Sequence, residues 1–112
     1  MPFFEEPLSI DDVDGHAFLA DKLAVRIATG ENMYTRWDFL PFFQKSAIHV
    51  VQADASRCGG ISEAKRIFDL AGSFHLHAIP HTFSDALTIA ANLHVVAASS
   101  NAPRVTARPS RA

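Results

Sequence analysis

Four side chains that could carry acid–base chemistry recur along the chain at similar intervals. Glu5, Glu31, Asp54 and His81 follow one another 23 to 27 residues apart. Each comes after a short apolar run and before a longer segment with helical periodicity. A strand that ends in a polar residue and leads into a helix, repeated four times, is typical of a βα barrel, where functional side chains gather at the carboxyl ends of parallel strands. The spacing therefore predicts that the four side chains converge on one site.

The two glutamates are candidate metal ligands. Carboxylates at the ends of neighbouring parallel strands point into the same mouth, where unpaired negative charges would repel each other. A hard divalent cation such as Mg²⁺ relieves that repulsion, because it takes oxygen ligands and leaves positions open for a substrate. Glu5 and Glu31 fit this role. The alternative is that each is a solvated loop residue or a charge at the start of a helix.

Asp54 and His81 are candidates for a catalytic pair. A carboxylate hydrogen-bonded to one imidazole nitrogen fixes the tautomer and leaves the other nitrogen free to act as a general base. With a cation across the mouth to hold an enolate, the pair could abstract a proton next to a carboxylate. We predict that the two side chains approach to roughly 2.6–3.2 Å. The alternative makes His81 a loop histidine with satisfied hydrogen bonds, and Asp54 a cap before the turn at Gly59 and Gly60.

One further side chain could reach the same mouth. Arg57 follows Asp54 by three residues and is a candidate for binding a substrate carboxylate. A guanidinium suits that task because its planar donors match the two carboxylate oxygens. A solvent-facing arginine is the alternative.

The apolar pattern places these residues on four strand–helix units. We predict strands at 3–4, 24–29, 48–53 and 76–79, and helices from 11 or 12 to about 23, at 36–45, at 62–71 and from 86 to about 98. The aromatic residues interpreted as core are Phe3, Phe4, Trp37, Phe39, Phe42, Phe43 and Phe68. A closed eight-stranded βα barrel needs roughly 250 residues. The predicted fold class is therefore α/β, a partial (half) TIM-type (β/α) barrel with about four βα units and parallel strands.

Composition indicates one folded domain followed by a tail. Residues 1–100 make up the predicted partial barrel domain, whereas 101–112 contain three arginines, two prolines and no acid and are predicted to be disordered. The net charge of −2 gives no electrostatic case for nucleic acid or an anionic membrane as a partner. The sequence has no apolar run of roughly 18 residues and begins without a basic and then apolar segment, so neither a membrane span nor a secretory signal is expected. Cys58 is the single cysteine, so no internal disulfide can form and a cytoplasmic location is expected.

Five short blocks of sequence carry a resemblance to a known family. They are Phe4-Glu5-Glu6-Pro7, Ala28-Thr29-Gly30-Glu31-Asn32, Gln52-Ala53-Asp54, Arg57-Cys58-Gly59-Gly60-Ile61-Ser62-Glu63 and Ile79-Pro80-His81. In order and spacing they resemble the carboxyl-terminal barrel of the mandelate racemase / muconate lactonizing enzyme group of the enolase superfamily. The resemblance runs from about residue 3 to residue 100, and the fourth block is most similar to the acid-sugar dehydratases.

The resemblance implies a chemistry and a role for each residue. Glu5 and Glu31 match magnesium ligands, while Asp54 and His81 match an Asp–His dyad in which the histidine is the base or acid. Members of the group abstract the proton α to the carboxylate of a small acid, such as a sugar acid or hydroxy acid, and stabilise the enediolate on Mg²⁺. Dehydration (a lyase reaction) or racemisation or cycloisomerisation (isomerase reactions) then follows. The choice among these reactions stays open.

The resemblance also implies parts that this sequence does not contain. These are a third metal ligand before Glu5, a Lys-x-Lys base, an amino-terminal capping domain, and a glutamate after the block Asn101-Ala102-Pro103. We therefore expect an enzyme fragment that ends like a truncated or frameshifted gene product and is inactive alone. A half barrel leaves two strand edges unpaired, so we expect a homo-oligomer or association through the open edges. The alternative is a non-catalytic half-barrel remnant that serves only as a self-associating structural domain.

Overall fold

Four consecutive βα units make up the described part of the chain. The computed structural model describes residues 2–103. The strands are β1 (Phe3–Glu5), β2 (Arg26–Thr29), β3 (Val50–Val51) and β4 (His77–Ala78), and the helices are α1 (Val13–Lys22), α2 (Arg36–Gln44), α3 (Ile61–Ser73) and α4 (Ala86–Ala97). The prediction of an α/β fold with four βα units and parallel strands is confirmed. None of the helices within residues 2–103 has the length and apolar character that crossing a membrane requires.

The sheet is parallel throughout, with its strands in the order β1-β2-β3-β4. Its register aligns Glu5 of β1 with Ala28 of β2, and Ala28 with Val50 of β3. Strands β2, β3 and β4 are shorter than predicted. The backbone ladder nevertheless continues past their ends, for example from Ile79 N to Val51 O at 2.8 Å. Because helices join consecutive parallel strands, all four carboxyl ends lie along one edge of the sheet. In this part of the chain, β1 and β4 each have a neighbouring strand on one side only.

The helices pack on one face of the sheet and form the hydrophobic core with it. The buried cluster includes Ile27, Val51, Ala53 and Ala78 in and beside the strands, Phe39, Phe42 and Phe43 of α2, Ile67 and Phe68 of α3, and Val95 of α4. The buried apolar residues of α3, Ala64, Ile67, Phe68 and Ala71, recur at helical spacing and form one face of the helix. The helices thus cover one face of the sheet. The polar residues of interest come after the carboxyl ends of the strands, outside this core.

Two aromatic residues interpreted as core are instead exposed, so that interpretation is wrong for them. Phe4 is 51% exposed, because it lies on the edge strand β1. Trp37 is 62% exposed on the outer side of α2, where the Arg36 guanidinium lies 4.9 Å from its ring centroid. Helical spacing alone does not distinguish Trp37 from the buried phenylalanines of α2.

Cys58 is buried completely in the core between β3 and α3. Burial, and after it the negative charge of Asp54, together raise the pKa of its thiol to about 11. The thiol is therefore protonated at neutral pH. In the described structure Cys58 serves as a small packing residue.

The folded part continues past residue 100. The Asn101 side-chain amide donates hydrogen bonds to Phe68 O at 2.9 Å and Leu76 O at 3.2 Å. Its own backbone carbonyl accepts from Ala78 N at 3.2 Å. Asn101 is therefore packed against α3 and β4, and the rest of the predicted tail, from residue 104 onward, lies outside the described residues.

A nearly buried ion pair joins the starts of α2 and α3. The Glu63 side chain is 11% exposed and accepts hydrogen bonds from Arg36 N at 2.9 Å and from the Arg36 guanidinium at 2.9 and 2.7 Å. A third group, the Arg66 guanidinium, lies 3.3 Å away. The backbone N–H of Arg36, followed by the two guanidinium groups, holds the pKa of Glu63 below its ordinary value of 4.5 although burial opposes the shift. This pair fixes the loops that precede both helices.

Replacing Glu63 by glutamine should lower the free energy of unfolding at pH 7 by about 1–2 kcal/mol, since several charge-assisted hydrogen bonds are weakened. Because the pKa of Glu63 is lower in the folded state, its contribution is complete above the unfolded value and is lost as the pH falls through the folded value. The difference between the two proteins should therefore shrink below about pH 4. Urea unfolding at several pH values measures this. Asp69→Asn, which breaks an exposed pair with Lys65, is the matched control and should cost less than about 0.5 kcal/mol.

Candidate active site

Three of the predicted side chains meet at the carboxyl edge of the sheet. His81 follows β4, and its Nδ1 lies 3.1 Å from Asp54 Oδ2, inside the predicted range. On the other side of the ring, Nε2 lies 3.1 Å from Glu31 Oε2. The imidazole is therefore held between two carboxylates that come from the two preceding strands.

This arrangement suits a group that takes up a proton and gives it back. A carboxylate only accepts hydrogen bonds, so each ring nitrogen can bond to its carboxylate only by donating. The ring of His81 makes both contacts only as an imidazolium. With a single proton it can keep the bond to Asp54 and present a basic Nε2 to its surroundings.

Asp54 is the buried anchor of this arrangement. Its Oδ1 accepts hydrogen bonds from the backbone N–H and the hydroxyl of Ser56, at 2.8 and 2.7 Å. Burial alone would raise the pKa of Asp54, but the hydrogen bonds from Ser56 and His81 outweigh it and hold the pKa below its ordinary value of 3.8. Asp54 is therefore ionised at neutral pH and can keep the imidazole oriented.

Asn92 of α4 fixes the backbone around the pair. The side chain is buried, and its Nδ2 donates to His81 O and Thr82 Oγ1, both at 2.8 Å. Its Oδ1 accepts from Ala55 N at 3.1 Å. One amide therefore sets the separation between the loop that carries Asp54 and the loop that carries His81.

Glu5 lies at the same edge but outside this trio. Its exposed carboxylate accepts a hydrogen bond from Nε2 of Gln52 at 2.9 Å. Gln52 follows β3, whereas Glu5 is on β1, so the hydrogen bond between them spans the intervening strand β2. The β2 residue aligned with Glu5 is Ala28, whose side chain is small. Within residues 2–103, no hydrogen bond joins Glu5 to Glu31, Asp54 or His81. Short contacts thus join three of the four predicted residues, Glu31, Asp54 and His81, whereas Glu5 is hydrogen-bonded to Gln52.

A cleft of about 400 Å³ opens beside the histidine. It is lined by Glu31, Asp54, Ser56, Arg57, His81, Phe83 and Ser84. Arg57 therefore reaches the mouth of the site, where its Nη1 donates to Asn32 Oδ1 at 3.3 Å. A positive charge, two carboxylates, two hydroxyls and an imidazole around one cleft suit a small polar ligand.

The carboxylates of Glu5 and Glu31 fit Mg²⁺ by donor type. Mg²⁺ takes oxygen ligands and commonly keeps several waters while it is bound through one or two carboxylates. One oxygen of Glu31 already contacts His81. Over residues 2–103, moreover, no cluster of three or more His, Cys, Asp or Glu side chains is arranged to hold a metal ion. The two glutamates therefore suit a hydrated, weakly held Mg²⁺ and not a closed protein cage.

Comparison with known proteins identifies the family. Residues 1–110 match the sequence profile of the enolase C-terminal domain-like family. The chain belongs to this family. The resemblance to the mandelate racemase / muconate lactonizing enzyme group is thereby confirmed.

Individual relatives of this enolase-superfamily chain are considerably longer. Arabinonate dehydratase of Saccharolobus solfataricus is 43% identical over 86% of this chain and 26% of its own length. A crystal structure from Bordetella bronchiseptica RB50 is 54% identical with a TM-score of 0.84, over 95% of this chain and 28% of that one. A mandelate racemase/muconate lactonizing enzyme-like protein of Rubrobacter xylanophilus is 39% identical with a TM-score of 0.87, over 90% of this chain and 26% of that one. The chain spans about a quarter of the length of the curated relatives it matches.

Several further polar residues form hydrogen bonds in the candidate site, although the sequence analysis does not predict a role for them. They are Glu6, Asn32, Gln52, Ser56 and Asn92. A role for the first four could have been predicted from the sequence, because each is one or two residues from a predicted site residue. Asn92 carries none, since it lies on a helix distant in sequence from both loops that it joins.

Replacing Ser56 by alanine should raise the pKa of Asp54 toward its ordinary value. One of the two Ser56 hydrogen bonds to Oδ1 disappears, while the burial that opposes ionisation remains. A titration of the Asp54 side-chain carboxyl by ¹³C NMR measures the shift. Ser73→Ala is the control, because the Ser73 hydroxyl donates to Asp69 O on the outside of α3. An unchanged Asp54 titration would assign the whole effect to the backbone N–H of Ser56.

Proposed function

We propose that this chain carries the Asp–His part of the active site of a Mg²⁺-dependent enolase-superfamily enzyme, a dehydratase or racemase acting on a small acid. The reaction begins with removal of the proton α to the substrate carboxylate. The observation that supports this most directly is the imidazole of His81 between the carboxylates of Asp54 and Glu31. The dehydratase relative supports the reaction class.

His81 is the proposed base. Asp54 keeps Nδ1 as a hydrogen-bond donor, so the lone pair of Nε2 is available to a substrate in the cleft. The α-proton of the substrate moves to Nε2, and Glu31 then accepts a hydrogen bond from that N–H. In a dehydratase, the same proton can be given to the departing hydroxyl, which leaves as water. In a racemase, a second base on the opposite face of the substrate would deliver a proton to the α-carbon, because return of the same proton from Nε2 would only restore the starting isomer.

The charged groups around the cleft have supporting roles. Glu5 and Glu31 would hold Mg²⁺, by the donor chemistry described above. When bound, the cation supplies positive charge that offsets the negative charge developing on the substrate carboxylate as the proton leaves. Arg57 would bind a carboxylate or hydroxyl group of the substrate, since its guanidinium lines the cleft.

A sugar acid is the proposed substrate class. The cleft has the volume for a small ligand, and its lining offers hydroxyls of Ser56 and Ser84 as well as charged groups. A polyhydroxy acid can use both kinds of contact, whereas an apolar acid would leave the polar groups unpaired. The arabinonate dehydratase relative supports the same class.

A chimera tests whether these residues can perform the reaction. Residues 1–103 would replace the matching segment of the Bordetella bronchiseptica protein, which is 54% identical. The chimera should exchange the α-proton of at least one sugar acid in D₂O, as followed by NMR. His81→Asn or Glu31→Gln should lower that exchange by about 10²–10⁴-fold, and the exposed Asp21→Asn should leave it unchanged. Full exchange by the His81→Asn chimera would remove His81 from its proposed role.

The 112-residue chain alone should bind Mg²⁺ weakly and should not turn over sugar acids. Two carboxylates leave the cation mostly hydrated, and Mg²⁺ gives up its waters reluctantly. Isothermal titration calorimetry and product analysis measure the two quantities. Dehydration by the isolated chain that is abolished by EDTA would contradict the proposal of an inactive fragment.

A second function is favoured by the open edges of the sheet. Over residues 2–103, β1 and β4 are each paired on one side only, and Phe4 on β1 is half exposed. Such edges can pair with another copy, which would make the chain a self-associating structural domain. Sedimentation equilibrium distinguishes the cases. A stable oligomer without cation binding would favour the structural role, and a monomer would exclude it.

A further inference from the structure

We propose that Glu6 is the residue that positions Glu31 for cation binding. This inference rests on the proposed function, because it concerns the same Mg²⁺ ligand. Glu6 follows β1, whereas Glu31 follows β2, so the two residues come from neighbouring strands. The Glu6 carboxylate binds the chain on both sides of Glu31 and thereby determines where that side chain lies.

The hydrogen bonds of Glu6 define this role. Its Oε1 accepts from Thr29 Oγ1 at 2.9 Å and from Gly30 N at 3.5 Å, both immediately before Glu31. Its Oε2 accepts from Asn32 Nδ2 at 2.9 Å, immediately after Glu31. One carboxylate thus spans the four-residue turn on which Glu31 is carried.

Asn32 extends the link to the side chain of Glu31 itself. Its Nδ2, held by Glu6, also lies 3.4 Å from Glu31 Oε1. Its Oδ1 accepts from Arg57 at 3.3 Å, which fixes the orientation of the amide. Asn32 therefore links Glu6 to Oε1 of Glu31. The other oxygen of Glu31, Oε2, is the one that contacts His81.

The backbone of Glu6 is held in a conformation that glutamate rarely adopts. Its φ is +41°, in the left-handed region where a side chain with a Cβ is strained. Its N–H donates to Ala28 O at 2.9 Å, so the chain remains tied to β2 at this point. Strain of this kind persists only where surrounding contacts determine it, and it is concentrated at functional sites.

The same contacts separate the roles of the two adjacent glutamates. The Glu6 carboxylate is occupied by donors on both oxygens, whereas the exposed carboxylate of Glu5 accepts one hydrogen bond, from Gln52. Glu5 is therefore free to bind a cation directly, and Glu6 acts through Glu31. Loss of a partner that orients a metal ligand typically weakens metal binding by about 10–100-fold.

A double-mutant cycle tests this inference on the whole 112-residue chain. Mn²⁺ is the probe, and the free ion is quantified by electron paramagnetic resonance for the unmodified chain, Glu6→Gln, Glu31→Gln and the double variant. Glu6→Gln should weaken Mn²⁺ binding by about tenfold, because an amide cannot accept from all three donors. In the Glu31→Gln background the same change should have no further effect. Asp21→Asn removes one exposed negative charge elsewhere and should change the affinity less than about twofold.

Thr29→Val distinguishes an effect of where the Glu6 carboxylate lies from an effect of its negative charge. It removes one hydrogen bond to Glu6 at a completely buried site, keeps the side-chain shape and changes no charge. It should weaken Mn²⁺ binding in the same direction as Glu6→Gln, and it gives a test even if Glu6→Gln does not fold. Circular dichroism and thermal unfolding establish that each variant is folded.

Each other outcome overturns the inference in a distinguishable way. Unchanged affinity in folded Glu6→Gln and Thr29→Val would refute the positioning role while leaving the proposed function intact. An equal loss from Glu6→Gln with and without Glu31 would show that Glu6 acts through its own charge. No Mn²⁺ or Mg²⁺ binding by the unmodified chain would refute the metal site of the proposed function, and this inference with it.

Discussion

The site depends on the parallel alignment of the four strands. In a parallel sheet the ladder of hydrogen bonds fixes how far each strand extends relative to its neighbour. Three site residues each come two or three residues after the end of a strand: Glu31, Asp54 and His81. They therefore lie at similar distances beyond the carboxyl ends of their strands. Their side chains can then meet, although they are more than 20 residues apart in sequence. A shift of one strand by a single residue would turn its polar side chain to the opposite face.

At Gly30, the turn that carries Glu31 packs directly against the hydrophobic core. Its φ of +136° favours glycine, and a Cβ there would lie 2.6 Å from Phe39 Cε1 and 3.2 Å from Gln52 C. The phenylalanine ring of α2 therefore packs directly beneath the turn that carries Glu31. A side chain at Gly30 would force either the helix or the turn to move, which would alter the contact between Glu31 and His81.

The sequence spacing is enough to predict the four βα units and the convergence of Asp54 with His81, because both follow from local periodicity and the common direction of parallel strands. The contact between His81 and Glu31 is less predictable, since it depends on the direction of each side chain after its strand ends. The role of Asn92 depends on how helix α4 packs against two loops, and no local sequence pattern predicts that packing. The exposure of Phe4 likewise depends on its place at a sheet edge.

The buried thiol of Cys58 has a practical consequence for studying this molecule. Its backbone N–H donates to Asp54 O at 2.8 Å, so the cysteine belongs to the same turn as the buried aspartate. A thiol must be both accessible and deprotonated to react with an alkylating reagent, and Cys58 in the closed turn is neither at neutral pH. Its labelling rate therefore reports how often this turn opens. Because Cys58 is the single cysteine, alkylation of the chain would measure the opening of the loop that carries Asp54 and of no other segment.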